Sequence, residues 1–268
     1  MTDMQKTLLE MFKWLTDFLE KNSISYYAVG GTLLGAIRHK GFIPWDDDID
    51  IALPRKDYLK FISLMGTDII DGYRLESPYE GNKDFLYTYS KLYDTRTTLI
   101  ERQKKNIKRG VFIDVFPLDG AGNTIDDAKK KFRAVNRKNM FLMTRTCAIR
   151  KERKWIKNLF IMISRCIPFV NDKKCSLKVD AIMSKTSYEE SLFVSNFSGS
   201  YGEKELVEKR LFGEPTDYPF ETITVKGPAY YDEYLTGIYG NWRKMPPVEK
   251  RGVQHDFLYV DLNKSYLS

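Results

Sequence analysis

The sequence predicts an α/β (α+β) protein, with a mixed α/β first half and a helical, basic second half. Two observations carry the first part: apolar residues at helical spacing in residues 3–19, and strand-like alternation of polar and apolar residues at 48–53. A third carries the second part, a series of long helix-compatible stretches that begins at Thr124. In chain order, Asp3 is expected to cap a helix built on Leu8, Leu9, Phe12, Leu15, Phe18 and Leu19, which stops near Asn22. A strand at 26–29 runs into Gly30–Gly31, and a short helix follows at 32–38. After a loop at 39–47, the strand at 48–53 ends at Pro54 and a helix spans 55–65. Strands are expected at 73–77, 85–93, 97–101 and 111–115, then helices at 124–151, 154–167 and 173–187. An irregular stretch near 193–200, a strand at 221–225 and a helix opened by Pro228 complete the chain. The expected division is a mixed α/β core at 1–122, a basic helical region at 123–190 and a C-terminal segment at 191–268.

At 268 residues, with 43% apolar and 14% aromatic side chains, the chain has material for one large domain or two small ones with a real core. That composition excludes collagen-like, disulfide-scaffold and wholly disordered chains. Cys147, Cys166 and Cys175 form no CxxC pair and leave one thiol over. This points to a reducing compartment, with the cytoplasm as the expectation, and away from a thiolate zinc site. The opening MTDMQKTLLEMFKWL carries an early acid and no small-residue cleavage site, so it does not read as a signal peptide. No stretch reaches the roughly 18 apolar residues a membrane span needs.

Charge is unevenly spread. Residues 129–178 hold 16 basic residues against two acidic ones, Glu152 and Asp172, a net of +14 within a chain whose total is +7. The result is an acidic body with a basic middle, which disfavours a uniform nucleic-acid surface, and no nucleic-acid partner is expected. Inside the basic middle, WIKNLFIMISRCIPFV at 155–170 is largely apolar, with Arg150, Lys151, Arg153 and Lys154 ahead of it and Lys173 and Lys174 behind. Two readings stand side by side. One is an interfacial helix on anionic lipid, a peripheral contact through residues 150–174 at the inner face of the cell membrane. The other is a core helix whose solvated ends are basic.

Asp46, Asp47, Asp48 and Asp50 place four carboxylates in five positions. On a strand, Asp48 and Asp50 share a face while Ile49 and Ile51 turn into the core. Like charges that close need neutralising, and hard oxygen ligands select Mg²⁺ or Mn²⁺. Asp114, between Ile113 and Val115 on another apolar strand, is the candidate third ligand. A run of acids also describes a solvated loop; Asp46 or Asp47 can add an outer carboxylate, and for Asp47 a loop acid turned to water fits equally well. Just upstream, Gly30–Gly31 between strand and helix lets backbone N–H groups approach a phosphate. Metal-held carboxylates, a glycine turn and a third carboxylate able to take a proton from a hydroxyl together point to phosphoryl-group transfer. Arg38 and Lys40 are candidate phosphate contacts, and Arg251 and His255 close the site from the C-terminal end. His39 reads as structural, and Tyr230, Tyr231 and Tyr234 read as core.

YYAVGGTLLGAIRHKGFIPWDDDIDIALPRKDY, residues 26–58, closely resembles the LicD family of bacterial phosphocholine transferases, to which fukutin and fukutin-related proteins are also related. GVFIDVFPLDG at 110–120 and YYDEYLTGIYGNWRKMPPVEKR at 230–251 resemble further family segments. The resemblance implies a nucleotidyltransferase fold of the polymerase-β type with a mixed sheet, a divalent metal and a CDP-activated alcohol phosphate as donor. It implies Asp48, Asp50 and Asp114 as catalytic residues and metal ligands beside the glycine pair; Gly30, Gly31, Thr32, Arg38, Lys40, Arg251 and His255 are the candidate substrate-binding residues. Transfer of phosphocholine to a hydroxyl of a cell-surface glycan precursor, in lipopolysaccharide, teichoic acid or capsule, with release of CMP, is the expected reaction. If choline is the cargo, Trp45, Tyr87, Tyr89 or Trp242 would face its ammonium. The alternatives are glycerol or ribitol phosphate transfer, nucleoside-monophosphate transfer, and a calcium-containing glycan- or membrane-binding protein. The family pattern ends in paired histidines; this chain has only His255.

Overall fold

Leu8, Phe12, Leu15 and Leu19 are fully buried on one face of α1 (Asp3–Lys21), the helix their spacing predicts. Thr2, one residue ahead of Asp3, caps it: its hydroxyl accepts from Gln5 N at 3.1 Å, and the Gln5 side chain accepts from Thr2 N at 3.0 Å. This computed structural model describes residues 1–168, 170–252 and 255–268. Phe169 of the apolar run, and Val253 and Gln254 beside His255, lie outside the described residues.

β1 (Tyr27–Ala28) leads into α2 (Gly30–His39), so the glycine pair is the helix's own first turn rather than a bend ahead of it. β2 (Asp50–Pro54) begins two residues later than the expected 48–53, which leaves Asp48 just ahead of the strand. Pro54 ends β2 and caps α3 (Arg55–Met65). Next come β3 (Ile69–Ile70), β4 (Tyr73–Glu76), β5 (Ser90–Asp94), β6 (Thr98–Glu101) and β7 (Lys108–Arg109). The expected strand at 85–93 pairs only from Ser90. Ahead of it, Phe85, Tyr87 and Tyr89 hold one another by ring contacts, with centroids 5.3 and 5.1 Å apart.

β8 (Phe112–Gly122) is the spine of the main sheet and far longer than the expected 111–115. It lies parallel to β2 and antiparallel to β5, and the order across the sheet is β1-β2-β8-β5-β4-β3. Pro117 interrupts nothing. Pairing with β5 stops at Val115 and pairing with β9 (Phe193–Ser195) starts at Asp119, so the missing N–H falls in the gap between them. α1 and α3 bury Phe12, Tyr58 and Phe61 in the same core as Ile51, Leu53, Leu92, Ile113 and Val115 of the sheet.

The basic middle forms α4 (Ile125–Thr146), α5 (Trp155–Cys166) and α6 (Asp172–Met183). Phe132 and Val135 of α4 close a second core with Val179 and Met183 of α6. α5 gives no residue to either core, which removes the core-helix reading of its apolar run. Arg55 staples α6 to the sheet. Its guanidinium donates to both oxygens of Asp119 on β8, at 2.7 and 2.6 Å, and at 2.9 Å to Asp180 on α6.

Downstream lie β10 (Leu206–Glu208), β11 (Thr216–Phe220), β12 (Ile223–Gly227), α7 (Tyr231–Tyr239) and β13 (Phe257–Asp261). The second half is therefore not largely helical. Its strands run three to five residues, too short to show a period, and two of them complete sheets begun upstream: β9 on β8 and β13 on β6. α7 starts at Tyr231 rather than at Pro228, and of its expected core tyrosines only Tyr234 is fully buried, while Tyr230 is 52% exposed. Among the described residues, no helix is long and apolar enough to cross a membrane.

Candidate active site

Parallel pairing of β2 and β8 sets Asp50 directly beside Asp114, and registered neighbours share a face of the sheet. On the other side of β8, Lys91 of β5 is the register partner of Asp114. The three strands thus lay a row, Asp50–Asp114–Lys91, along the wall of a cleft of about 1040 Å³. Two backbone contacts hold Asp50 in place: Val29 N donates to its carbonyl at 3.2 Å, and its own N–H donates to the Thr32 hydroxyl at 2.8 Å.

Gly30 opens α2 with a φ of +55°, a conformation that favours glycine. At Gly31, a Cβ would fall 2.7 Å from Asp46 Oδ2. The glycine pair therefore lets the acidic loop press against the first turn of a helix, where N–H groups and the positive end of the dipole favour anions. Carboxylate oxygens of Asp46, Asp47 and Asp48 lie within 4.8 Å of one another. His255 spans this loop, with Nδ1 3.0 Å from Asp47 and Nε2 3.7 Å from Asp48, and its ring stacks on Phe257 at 5.4 Å. Burial pulls the His255 pKa down, but the bond to Asp47 and the charge of Asp48 outweigh it and lift it to about 9. The imidazole is thus a cation at neutral pH, donating to Asp47.

Asp46, Asp48, Asp50 and Asp114 all titrate above the ordinary aspartate range, first because burial disfavours their charge. For Asp50 the charges of Asp48 and Asp114 add to burial. Lys91 opposes the shift at Asp114. Its ammonium is 2% exposed, 3.0 Å from Asp114 Oδ1 and 3.7 Å from Glu101 Oε1, and sits 3.3 Å from the Phe112 ring centroid. Burial alone would strip its proton, yet Asp114 and Glu101 raise its pKa above the ordinary lysine value. Asp114 Oδ1 faces the Lys91 ammonium, while buried Asp47 Oδ2 has no hydrogen-bond partner among the described residues. Orphaned, crowded carboxylate oxygens are a hard donor set, which fits Mg²⁺ or Mn²⁺ and not a softer metal.

Of the residues the sequence singled out, Gly30, Gly31, Arg38, Asp48, Asp50, Asp114, Arg251 and His255 line one cleft. Thr32 does not: it is buried, and its hydroxyl is taken by the Asp50 amide. Lys40 does not either, lying exposed at the far end of α2 with φ +59°. Arg38 donates to Trp242 O at 2.8 Å and to His39 at 2.9 Å, which gives His39 the structural part expected of it. Burial lowers the Arg38 pKa and the charge of Arg251 adds to that shift; both arginines line the cleft, where positive charge suits an anion. Arg251 stacks 5.3 Å over Trp45. Trp45, Tyr89 and Trp242 line the cleft, whereas Tyr87 packs 4.7 Å from the Lys91 ammonium.

The sequence reading missed Lys91 and Glu101, and also Tyr201, Glu205 and Tyr239, which line the same cleft. Glu205 is 5% exposed, and burial lifts its pKa to about 7. A signal for Lys91 did exist, since a buried Asp114 on an apolar strand calls for a nearby cation.

Residues 23–157 match the LicD/FKTN/FKRP, nucleotidyltransferase domain. The chain belongs to that family. It is 27% identical over 264 residues to the lipopolysaccharide cholinephosphotransferase LicD of Haemophilus influenzae, covering 94% of this chain and 95% of that protein. It is 33% identical over 82 residues to the human ribitol 5-phosphate transferase FKRP, covering 29% of this chain and 17% of that one. A third relative, mannosyltransferase regulator 4 of Saccharomyces cerevisiae, is 30% identical over 111 residues, 41% of this chain and 9% of its own. The acidic loop, the Asp50–Asp114 pair and Lys91 all fall inside the matched domain of this LicD-family protein, while Glu205, Arg251 and His255 fall outside it.

Proposed function

We propose that this LicD-family protein transfers a phospho-alcohol, most favourably phosphocholine, from a CDP-activated donor to a glycan hydroxyl and releases CMP. The sheet is read as the nucleotidyltransferase type of the polymerase-β fold. The observation that carries the reading is the register of Asp50 beside Asp114, next to a helix opened by glycine and in a cleft that Arg38 and Arg251 also line. Asp48, Asp50 and Asp114 would hold Mg²⁺ or Mn²⁺, which when bound neutralises charge on the donor's phosphates. The first turn of α2 presents its N–H groups to phosphate oxygens, and Arg38 and Arg251 grip the donor from the mouth of the cleft. Asp114, lifted by burial and kept ionised by Lys91, takes the proton of the acceptor hydroxyl at its carboxylate. The freed oxygen bonds to the distal phosphorus as the bond from that phosphorus to CMP breaks, so the alcohol phosphate moves and CMP leaves. Trp45, Tyr89 and Trp242 offer ring faces to a quaternary ammonium. Three free cysteines support a reducing, cytoplasmic setting.

The likeness to a ribitol 5-phosphate transferase favours ribitol phosphate as the second cargo. Purified protein incubated with Mg²⁺, an acceptor glycan and CDP-choline, CDP-glycerol or CDP-ribitol separates the cases. Fastest CMP release with CDP-choline is expected. Release of pyrophosphate in place of CMP would overturn the proposal, and a preference for CDP-ribitol would reassign the cargo.

A further inference from the structure

α5 is amphipathic the wrong way round. At about 100° per residue, Trp155, Ile156, Leu159, Phe160, Met162 and Ile163 form one continuous apolar face, and that face points to water. Trp155 is 74% exposed, Phe160 64% and Ile163 54%. The side turned to the protein carries one buried apolar residue, Ile161, among the polar Asn158, Ser164 and Arg165. Asn158 Nδ2 donates to Arg150 O at 2.7 Å, Arg165 Nε donates to Arg145 O at 3.2 Å, and Ser164 is buried against the Ile161 carbonyl. Folding alone does not explain a helix that seats its hydrogen-bonding groups inward and leaves six large apolar side chains in solvent.

We propose that this face of α5 lies on an anionic lipid surface, with its apolar side chains at the acyl boundary and its basic flanks on the headgroups. Charge names the occupant. Lys151, Lys154 and Lys157 are exposed beside the apolar face, within a segment that carries 16 basic residues and two acidic ones. Two copies stacked through this face would bring like charges together, whereas an anionic bilayer attracts them. The helix is also tied to the cleft. Arg150, just ahead of it, pairs with Asp256 at 3.1 Å, and Asp256 follows His255 in the chain. A protein held by α5 would keep its cleft at a fixed attitude to the bilayer, where a lipid-anchored acceptor would meet it. The proposal stands whatever donor the cleft takes.

The full-length protein is sedimented with vesicles of phosphatidylcholine alone or phosphatidylcholine with phosphatidylglycerol. Binding to the anionic vesicles is expected, weaker by at least about tenfold on the neutral ones and at about 1 M salt, where the screening length falls to roughly 3 Å. Phe160→Glu with Ile163→Glu lowers binding at least about tenfold with an unchanged melting temperature, because both positions are exposed. Phe160→Leu retains it, which guards against a folding artefact. Absence of binding to anionic vesicles at low salt would overturn the proposal, as would a glutamate variant that binds like wild type. So would a wild-type dimer that the variant converts to monomer while vesicles are ignored, or salt-sensitive binding to duplex DNA in place of vesicles.

Discussion

In the sheet, Asp50, Asp114 and Lys91 place ionisable groups in a row that water barely reaches; in the basic middle, Trp155, Phe160 and Ile163 place apolar groups where water reaches freely. Both regions pay a folding cost, and the costs differ in kind. The buried row is a crowding of like charges which a dication would relieve, and it is built on central strands that cannot move. The exposed face is an unmet hydrophobic contact, built on a helix outside both cores. On the proposed reading, an ion and an anionic substrate would relieve the first cost and a lipid surface the second.

The largest test of that contrast is removal of a carboxylate. Asp50→Asn and Asp114→Asn are each expected to lower CMP release at least about 10³-fold. The melting temperature should hold or rise for Asp50→Asn, since burial and its neighbours already work against the Asp50 charge. EDTA should abolish turnover in the wild type and added Mg²⁺ restore it. If the acids instead held a structural calcium, the substitution would depress the melting temperature, and thermal melts with and without metal tell the two apart.

The staple between the regions comes next. Arg55 is 8% exposed and bonds Asp119 and Asp180, both buried, so Arg55→Ala would strand Asp119 and leave Asp180 with only the Tyr79 hydroxyl at 2.6 Å. A loss of about 3–5 kcal/mol in urea unfolding is expected. Arg55→Lys should fall between, because an ammonium cannot serve both oxygens of Asp119 and still reach Asp180 in the same plane. A loss below about 1 kcal/mol would mean that the second core and bonds such as Lys131 to Gly120 O and Ser176 to Tyr87 O hold the basic middle without it.

Much of the buried row was legible, and little of its surroundings. Asp114 announced itself because an acid between Ile113 and Val115 has no solvent face to use, and Asp50 because Ile49 and Ile51 flank it. Asp48 reached the site by a different route than the expected strand pairing, since β2 starts only at Asp50. Lys91 was missed because a lone lysine on a strand ordinarily faces water, and its burial depends on register with a strand more than 20 positions away. Tyr201 and Glu205 arrive through long-range topology that no local pattern encodes. Thr32 was misplaced because the helix opens at Gly30, which spends its hydroxyl on the Asp50 amide. For α5 the sequence left lipid and core level, and only burial separates them.

The smallest expected effect concerns Glu205, a buried acid lining the same cleft as the row. Burial raises its pKa from 4.5 to about 7, while the unfolded chain keeps it near 4.5. Between those values the folded state binds more protons than the unfolded one, so stability falls as pH rises. The contribution is fully present below about pH 4.5 and lost above about pH 7. Glu205→Gln has nearly the same shape and cannot ionise. It should stabilise the protein by up to about 3 kcal/mol at pH 8 and by almost nothing at pH 4.5. Urea unfolding of both proteins across that range reads the difference directly. An equal gain at both ends would trace the effect to packing, and the acidic wall would then owe its stability cost to the Asp50–Asp114 row alone.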